Sequence, residues 1–174
     1  MKDAVILLIP LAGMLLITYL MLQHFFNKTI KENEKELNSY KLDKIIPLKM
    51  QAYERAILFL ERIDPNNMII RVHKSNMSAT TLHVELLKII RDEYTHNMSQ
   101  QIYISPKSWN ELIKGKEETI KLINNSINQI DSSSNGIELS AKIFENIASK
   151  KISPSERARN IITKEFQKSM SYSN

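Results

Sequence analysis

From Ala4 to Asn27 the sequence carries no Asp, Glu, Lys or Arg, and from Ala4 to Leu22 only Thr18 and Tyr19 interrupt an apolar run. A helix of ~20 residues crosses the hydrocarbon of a bilayer. Hydrocarbon satisfies no backbone polar group, so such a run must be helical there. Pro10 is a defect that membrane helices tolerate. Tyr19, His24, Phe25 and Phe26 fall where an interfacial belt is expected. A cleaved signal peptide fits less well, since its apolar core is ~7–15 residues and ends at small residues. Here the run is longer, and Gln23-His24-Phe25-Phe26 offers no such cut. A buried core helix fits less well too, because few are apolar on every face over this length. The expectation is an uncleaved anchor, with residues 4–26 in the lipid bilayer.

Lysine placement sets the expected orientation. Only Lys2 precedes the run, whereas Lys28, Lys31, Lys35, Lys41 and Lys44 follow it. Acids count little in this rule, so Glu32, Glu34 and Glu36 do not cancel the bias. The expectation is a single-pass protein of the bacterial inner membrane, with its N-terminus outside and the rest in the cytoplasm. The absence of cysteine agrees with that side, and it excludes disulfides, thiolate metal sites, a cysteine nucleophile and an acylated anchor. Three glycines are too few for a phosphate-cradling loop.

Past the run, helical signals dominate. Residues 28–46 read as a helical stalk or linker, with Ile30 and Leu37 seven apart and Pro47 as its expected stop. In Leu48 to Ile63, Met50, Tyr53, Ile57 and Leu60 form a stripe at 3, 4, 3 spacing, widened by Leu58 and Phe59. Asp64-Pro65 ends that helix. Met68 to Val72 reads as helix or extended connector. Ser78 caps a helix to about Asn97, with Leu82, Leu86, Ile89, Ile90 and Tyr94 inward. Ser105-Pro106 opens a helix to about Ile130, whose inward stripe is expected at Trp109, Ile113, Lys116, Ile120, Ile123, Ile127 and Ile130. A turn over Asp131–Gly136 leads to a helix with Ile137, Ala141, Phe144 and Ala148 aligned. Ser153-Pro154-Ser155-Glu156 is a capping box for the last helix, with Ala158, Ile161, Ile162 and Phe166 inward. The fold class is all-α: an N-terminal transmembrane helix, then a domain of five or six helices. The expected division is anchor 1–27, stalk 28–46, helical core 47–131, and a C-terminal helical pair with a basic tail, 132–174.

Catalytic motifs are scarce. Glu93-x-x-His96 matches half of a di-iron carboxylate pattern, but no second copy exists. His73, His83 and His96 show no metal-binding spacing. Gly115-Lys116 lacks the rest of a phosphate loop, and no nucleophile elbow occurs. No cofactor is expected. Two polar blocks stand out instead. Tyr53, Glu54, Arg55, Glu61 and Arg62 belong to the first; Arg91, Glu93, Tyr94, His96, Asn97, Gln100, Gln101 and Tyr103 belong to the second. They read either as ion pairs between helices or as a face for a protein partner.

The net charge of +5 is concentrated in the tail, where Lys150, Lys151, Arg157, Arg159, Lys164 and Lys168 stand against Glu156 and Glu165. Lysine exceeds arginine, and isoleucine and asparagine are abundant, as an AT-rich genome alone produces. The tail reads first as a solvated basic surface. An anionic-lipid or nucleic-acid binder is the alternative, and nucleic acid is disfavoured because no aromatics interleave the basic residues.

The segment Leu48-Lys-Met-Gln-Ala-Tyr-Glu-Arg-Ala-Ile-Leu-Phe-Leu-Glu-Arg-Ile63 and the run from Ile90 to Ser105, with His96-Asn97 and Gln100-Gln101-Ile102-Tyr103, resemble two segments of an uncharacterised family of small single-pass membrane proteins of the Bacteroidota. The resemblance covers Pro47 to Asn125 and the anchor. It implies an inner-membrane protein and no mechanism. The leading expectation is a non-enzymatic, membrane-anchored interaction or assembly module. The alternative is a metal-dependent or hydrolytic enzyme using Glu93, His96 and Glu54 or Glu61.

Overall fold

The computed structural model describes residues 2–171, and within them the side chains of residues 13–37, 39–40 and 43–171. Among the described residues the chain is all-helical: α1 (Lys2–Arg62), α2 (Pro65–Val72), α3 (Ala79–Asn97), a 3-10 helix (Met98–Ile102), α4 (Pro106–Ile127), α5 (Gly136–Lys150) and α6 (Pro154–Ser171). They fall into two compact units, Met1–Pro47 and Leu48–Asn174.

The first unit is one stretch of α1. From Met14 to Phe26 its large apolar side chains are exposed on every side of the helix, among them Leu16, Ile17, Leu20, Met21, Leu22 and Phe25. Residues 4–12 of the expected span, and Lys41 of its flank, lie outside the described side chains. Among the described residues no helix is long and apolar enough to cross a membrane. One expectation is corrected here: α1 does not stop at Pro47 but runs on to Arg62. Proline removes one backbone donor, and at an exposed position the orphaned carbonyl faces water. The helix resumes because Ala52, Tyr53, Ala56, Phe59, Leu60 and Ile63 beyond it are buried.

The second unit is a bundle whose helix starts are written in the sequence. Asp64 caps α2, accepting from Asn66 N at 3.0 Å, with Pro65 at the first position. Ser78 accepts from Thr81 N at 3.1 Å, Ser105 from Ser108 N at 3.1 Å and Ser153 from Glu156 N at 3.1 Å. The connector before α3 is pinned to the turn before α5: Gly136 N donates to Met77 O at 2.7 Å, and Ala79 N to Ser134 O at 3.0 Å. A Cβ on Gly136 would sit 3.0 Å from Met77 O, so glycine permits this crossing.

Two faces differ from expectation. On α4 the buried line is Ser108, Trp109, Leu112, Gly115, Thr119, Leu122, Ile123 and Ser126, so Ile113, Lys116, Ile120 and Ile127 sit at the margin of the core. Small residues occupy the closest contact because α6 approaches there. A Cβ on Gly115 would lie 2.6 Å from Ala158 Cβ. The hydroxyls of Thr119 and Ser126 remain satisfied inside, donating to Gly115 O and Leu122 O. On α5 the buried residues are Leu139, Ser140, Ile143 and Ile147, leaving Ile137, Ala141, Phe144 and Ala148 exposed. Elsewhere the stripes agree: Leu82, Leu86 and Ile90 of α3 and Ala158 and Ile162 of α6 are buried. Tyr53 and Leu60 of α1 are also buried, whereas Met50 and Leu58 are exposed.

Candidate functional site

The two polar blocks meet. The last turns of α1 and the end of α3 enclose an open cleft of about 580 Å³, lined by Gln51, Glu54, Arg55, Leu58, Phe59, Arg62, Glu93, His96 and Asn97. Phe59 belongs to the buried core and is fixed against Tyr94, with ring centroids 6.1 Å apart. The polar rim stands on that rigid base.

Arg62 spans the cleft. Its Nη1 donates to Glu93 Oε1 at 3.1 Å and Oε2 at 3.3 Å. The Glu93 side chain is only 20% exposed, against 55% for Arg62. The Arg62 carbonyl in turn accepts from Arg71 Nη2 at 2.7 Å. A half-solvated pair of this kind contributes only ~0–1 kcal/mol. Its consequence is positional: both carboxylate oxygens are turned toward one guanidinium.

His96 and Asn97 are set by their own helix. His96 Nδ1 lies 2.8 Å from the Asp92 carbonyl, which only accepts, so Nδ1 carries the proton and Nε2 is the outward nitrogen. Asn97 Nδ2 donates to Glu93 O at 2.8 Å. Glu54 and Arg55 are exposed on the opposite wall.

The other expected residues lie elsewhere. Tyr53 is in the core, 4% exposed, with its hydroxyl accepting from Ser105 N at 3.1 Å and its ring against Phe166 at 4.7 Å. Tyr94 is half-buried between Phe59 and Trp109, beneath the Lys116 ammonium at 4.1 Å. Glu61 turns toward Arg159, 4.0 Å away. Arg91 is exposed and outside the cleft. Gln101 lines a separate shallow depression with Met98 and Ile102. Gln100 and Tyr103 line neither. Gln51, Leu58 and Phe59 join the cleft unforeseen. The signal was present, because positions 51, 55, 58 and 62 share one helix face.

The histidines do not converge. His73 sits beside Gly136, and His83 Nε2 is 2.8 Å from Asn124 Oδ1. Among the described residues no group of three His, Asp or Glu is placed to hold a metal ion. In the tail, Arg157 pairs with Glu118 of α4, and Arg159 faces Glu61. Two of the tail's cations are thus spent on neighbouring helices, while Lys150, Lys151 and Lys164 are exposed.

A family model matches residues 1–169. The chain belongs to DUF7935, a family of unknown function. The resemblance at 48–63 and 90–105 therefore holds as membership of an uncharacterised family. The DUF7935 match also runs through α5 and α6, beyond the segments that carried the resemblance. No curated protein and no solved structure matches the chain.

Proposed function

We propose that this DUF7935 protein is a membrane-tethered, non-enzymatic assembly module. Residues 4–26 sit in the bacterial inner membrane, and the helical unit from Leu48 lies in the cytoplasm. The cleft between α1 and α3 receives a protein partner.

The observation that carries this reading is the all-round exposure of the apolar side chains from Met14 to Phe26. Water penalises that surface by ~25 cal/mol per Å², and a bilayer removes the penalty. Of the two hydroxyls in the stretch, that of Thr18 is internally satisfied, Oγ1 donating to Met14 O at 2.8 Å. The lysine excess after the run supports the cytoplasmic side. For the cleft, the support is a charged rim on an apolar floor, with Arg55 and Glu54 on one wall and His96 on the other. Against the catalytic alternative, both Glu93 oxygens are engaged by the Arg62 guanidinium, which holds this carboxylate as the partner of a cation.

The test is affinity purification from native membranes with the wild type and with Arg55→Glu/His96→Ala, two side chains on the rim of the cleft. A protein recovered stoichiometrically with the wild type and lost with the variant is expected. Equal recovery with both would overturn the assignment of the cleft. A C-terminal reporter active only outside the cytoplasm would overturn the topology.

A further inference from the structure

Directly after the exposed apolar stretch, α1 carries a narrow basic ridge. Lys28, Lys31 and Lys35 are spaced i, i+3 and i+7, so they share one helix face. With His24, Asn27 and Glu32 they line a shallow groove of about 430 Å³. We propose that this ridge is a docking surface for the phosphate groups of anionic phospholipids at the bilayer surface. The proposal rests on the membrane reading above and names the lipid class that the tether meets.

Three observations support it. The first is depth. At 1.5 Å per residue, Lys28 lies about 3 Å and Lys31 about 8 Å past Phe26 along the helix, and the headgroup layer is about 5–8 Å thick. Lys35 lies about 14 Å past it, and its flexible stem lets the ammonium reach back toward that layer.

The second is the distribution of acids. Glu34 and Glu36 are sequence neighbours of Lys35, turned about 100° away from it; Glu34 falls i+3 from Lys31, at the edge of the ridge, and neither lines the groove. Three lysines thus stand in the groove although the stalk as a whole is mixed in charge. Glu32 is the one acid lining the groove. It meets Lys28 at 3.8 Å, with both side chains more than three-fifths exposed. A long, solvated contact of that kind is readily exchanged for a phosphate.

The third is continuity. Phe25 and Phe26 close the apolar stretch with their rings 6.4 Å apart, edge to face, and His24 lines the basic groove from within the same turns. Aromatic rings at the headgroup level followed at once by lysines place hydrocarbon and phosphate contacts in register on one helix.

The experiment uses the full chain, reconstituted into phosphatidylcholine bilayers with trace spin-labelled phosphatidylglycerol or spin-labelled phosphatidylcholine. The protein-restricted fraction of each lipid is read by electron paramagnetic resonance. Phosphatidylglycerol is expected to be preferred about fivefold, the factor that a lysine near an anionic surface supplies. The ratio falls to about one in Lys28→Gln/Lys31→Gln/Lys35→Gln and persists in Lys150→Gln/Lys151→Gln. A wild-type ratio near one would overturn the proposal. So would a ratio that survives the triple substitution, or one abolished by the Lys150/Lys151 pair, which would move the contact to the tail. Failure of the membrane reading shows separately, as a protein that does not enter neutral phosphatidylcholine bilayers at all.

Discussion

Asp64 and Ser155, 91 residues apart, are joined by a hydrogen bond of 2.8 Å from Ser155 Oγ to Asp64 Oδ2. Ser153 Oγ donates to the same oxygen, while Asp64 Oδ1 accepts from Asn66 N. One carboxylate, 8% exposed, thus holds the corner between α1 and α2 against the start of α6. No basic side chain pairs with it among the described ion pairs. Hydroxyl and backbone donors do that work, assisted by the positive ends of two helices.

Asp64→Ala removes a helix cap, ~1 kcal/mol, and takes the charged acceptor from the Ser153 and Ser155 hydroxyls, which keep their contact with each other at 3.2 Å, so ~1.5–3 kcal/mol is lost there in total. The expected loss is about 3 kcal/mol. Asp64→Asn, which keeps an acceptor oxygen, loses about 1 kcal/mol. Urea unfolding followed by the fluorescence of Trp109, the single tryptophan and a buried one, measures both. Equal losses would show that the charge is immaterial.

Gly115→Ala sets a gain in helix propensity of ~1 kcal/mol against a Cβ placed 2.6 Å from Ala158 Cβ. Overpacking at ~1–3 kcal/mol wins, so the variant is destabilised. The Ala158→Gly partner makes room, and a double-mutant cycle should return a coupling of about 1–2 kcal/mol. Additive effects would place the clash elsewhere.

These contacts show what was legible in the sequence. Three helix starts were, because a cap is local: Ser78, Ser105 and Ser153 each bond a backbone nitrogen three residues on. Asp64 read only as the end of α1, yet it also caps α2. The buried faces of α4 and α5 were not legible. Ser108, Gly115, Thr119 and Ser126 fill the inside of α4, and small residues leave no apolar stripe to read; the isoleucines beside them do. On α5, Leu139, Ile143 and Ile147 run at i, i+4, i+8, while the more conspicuous Ile137 and Phe144 stay outside. Pro47 misled for the opposite reason: a strong local signal against helix was overridden by packing further along α1. At the candidate site the two charged blocks were visible, and ion pairs between them were one of the two readings. Which residues pair, Arg62 with Glu93, is tertiary and was not legible.

Lys116 shows how a charge is accommodated at the margin of the core. Its side chain is 15% exposed, with Nζ 4.1 Å above the Tyr94 ring and 2.8 Å from Glu117 Oε1. Glu117 is half-exposed, so that pair contributes little, and the ring contact dominates at ~0.5–1 kcal/mol. A cycle of Lys116→Met with Tyr94→Leu should therefore give a coupling of about 0.5–1 kcal/mol, and Glu117→Gln should cost less than about 0.5 kcal/mol. A larger effect from Glu117 than from the ring would reverse this ranking.

The proposed hold of the apolar start of α1 in a bilayer is tested by alkaline carbonate extraction of native membranes. The chain is expected to stay in the membrane pellet, and replacing Leu15, Leu16, Ile17 and Leu20 together by Asn is expected to release it. Recovery of the unmodified chain in the carbonate supernatant would contradict the tether, the orientation and the lipid ridge together.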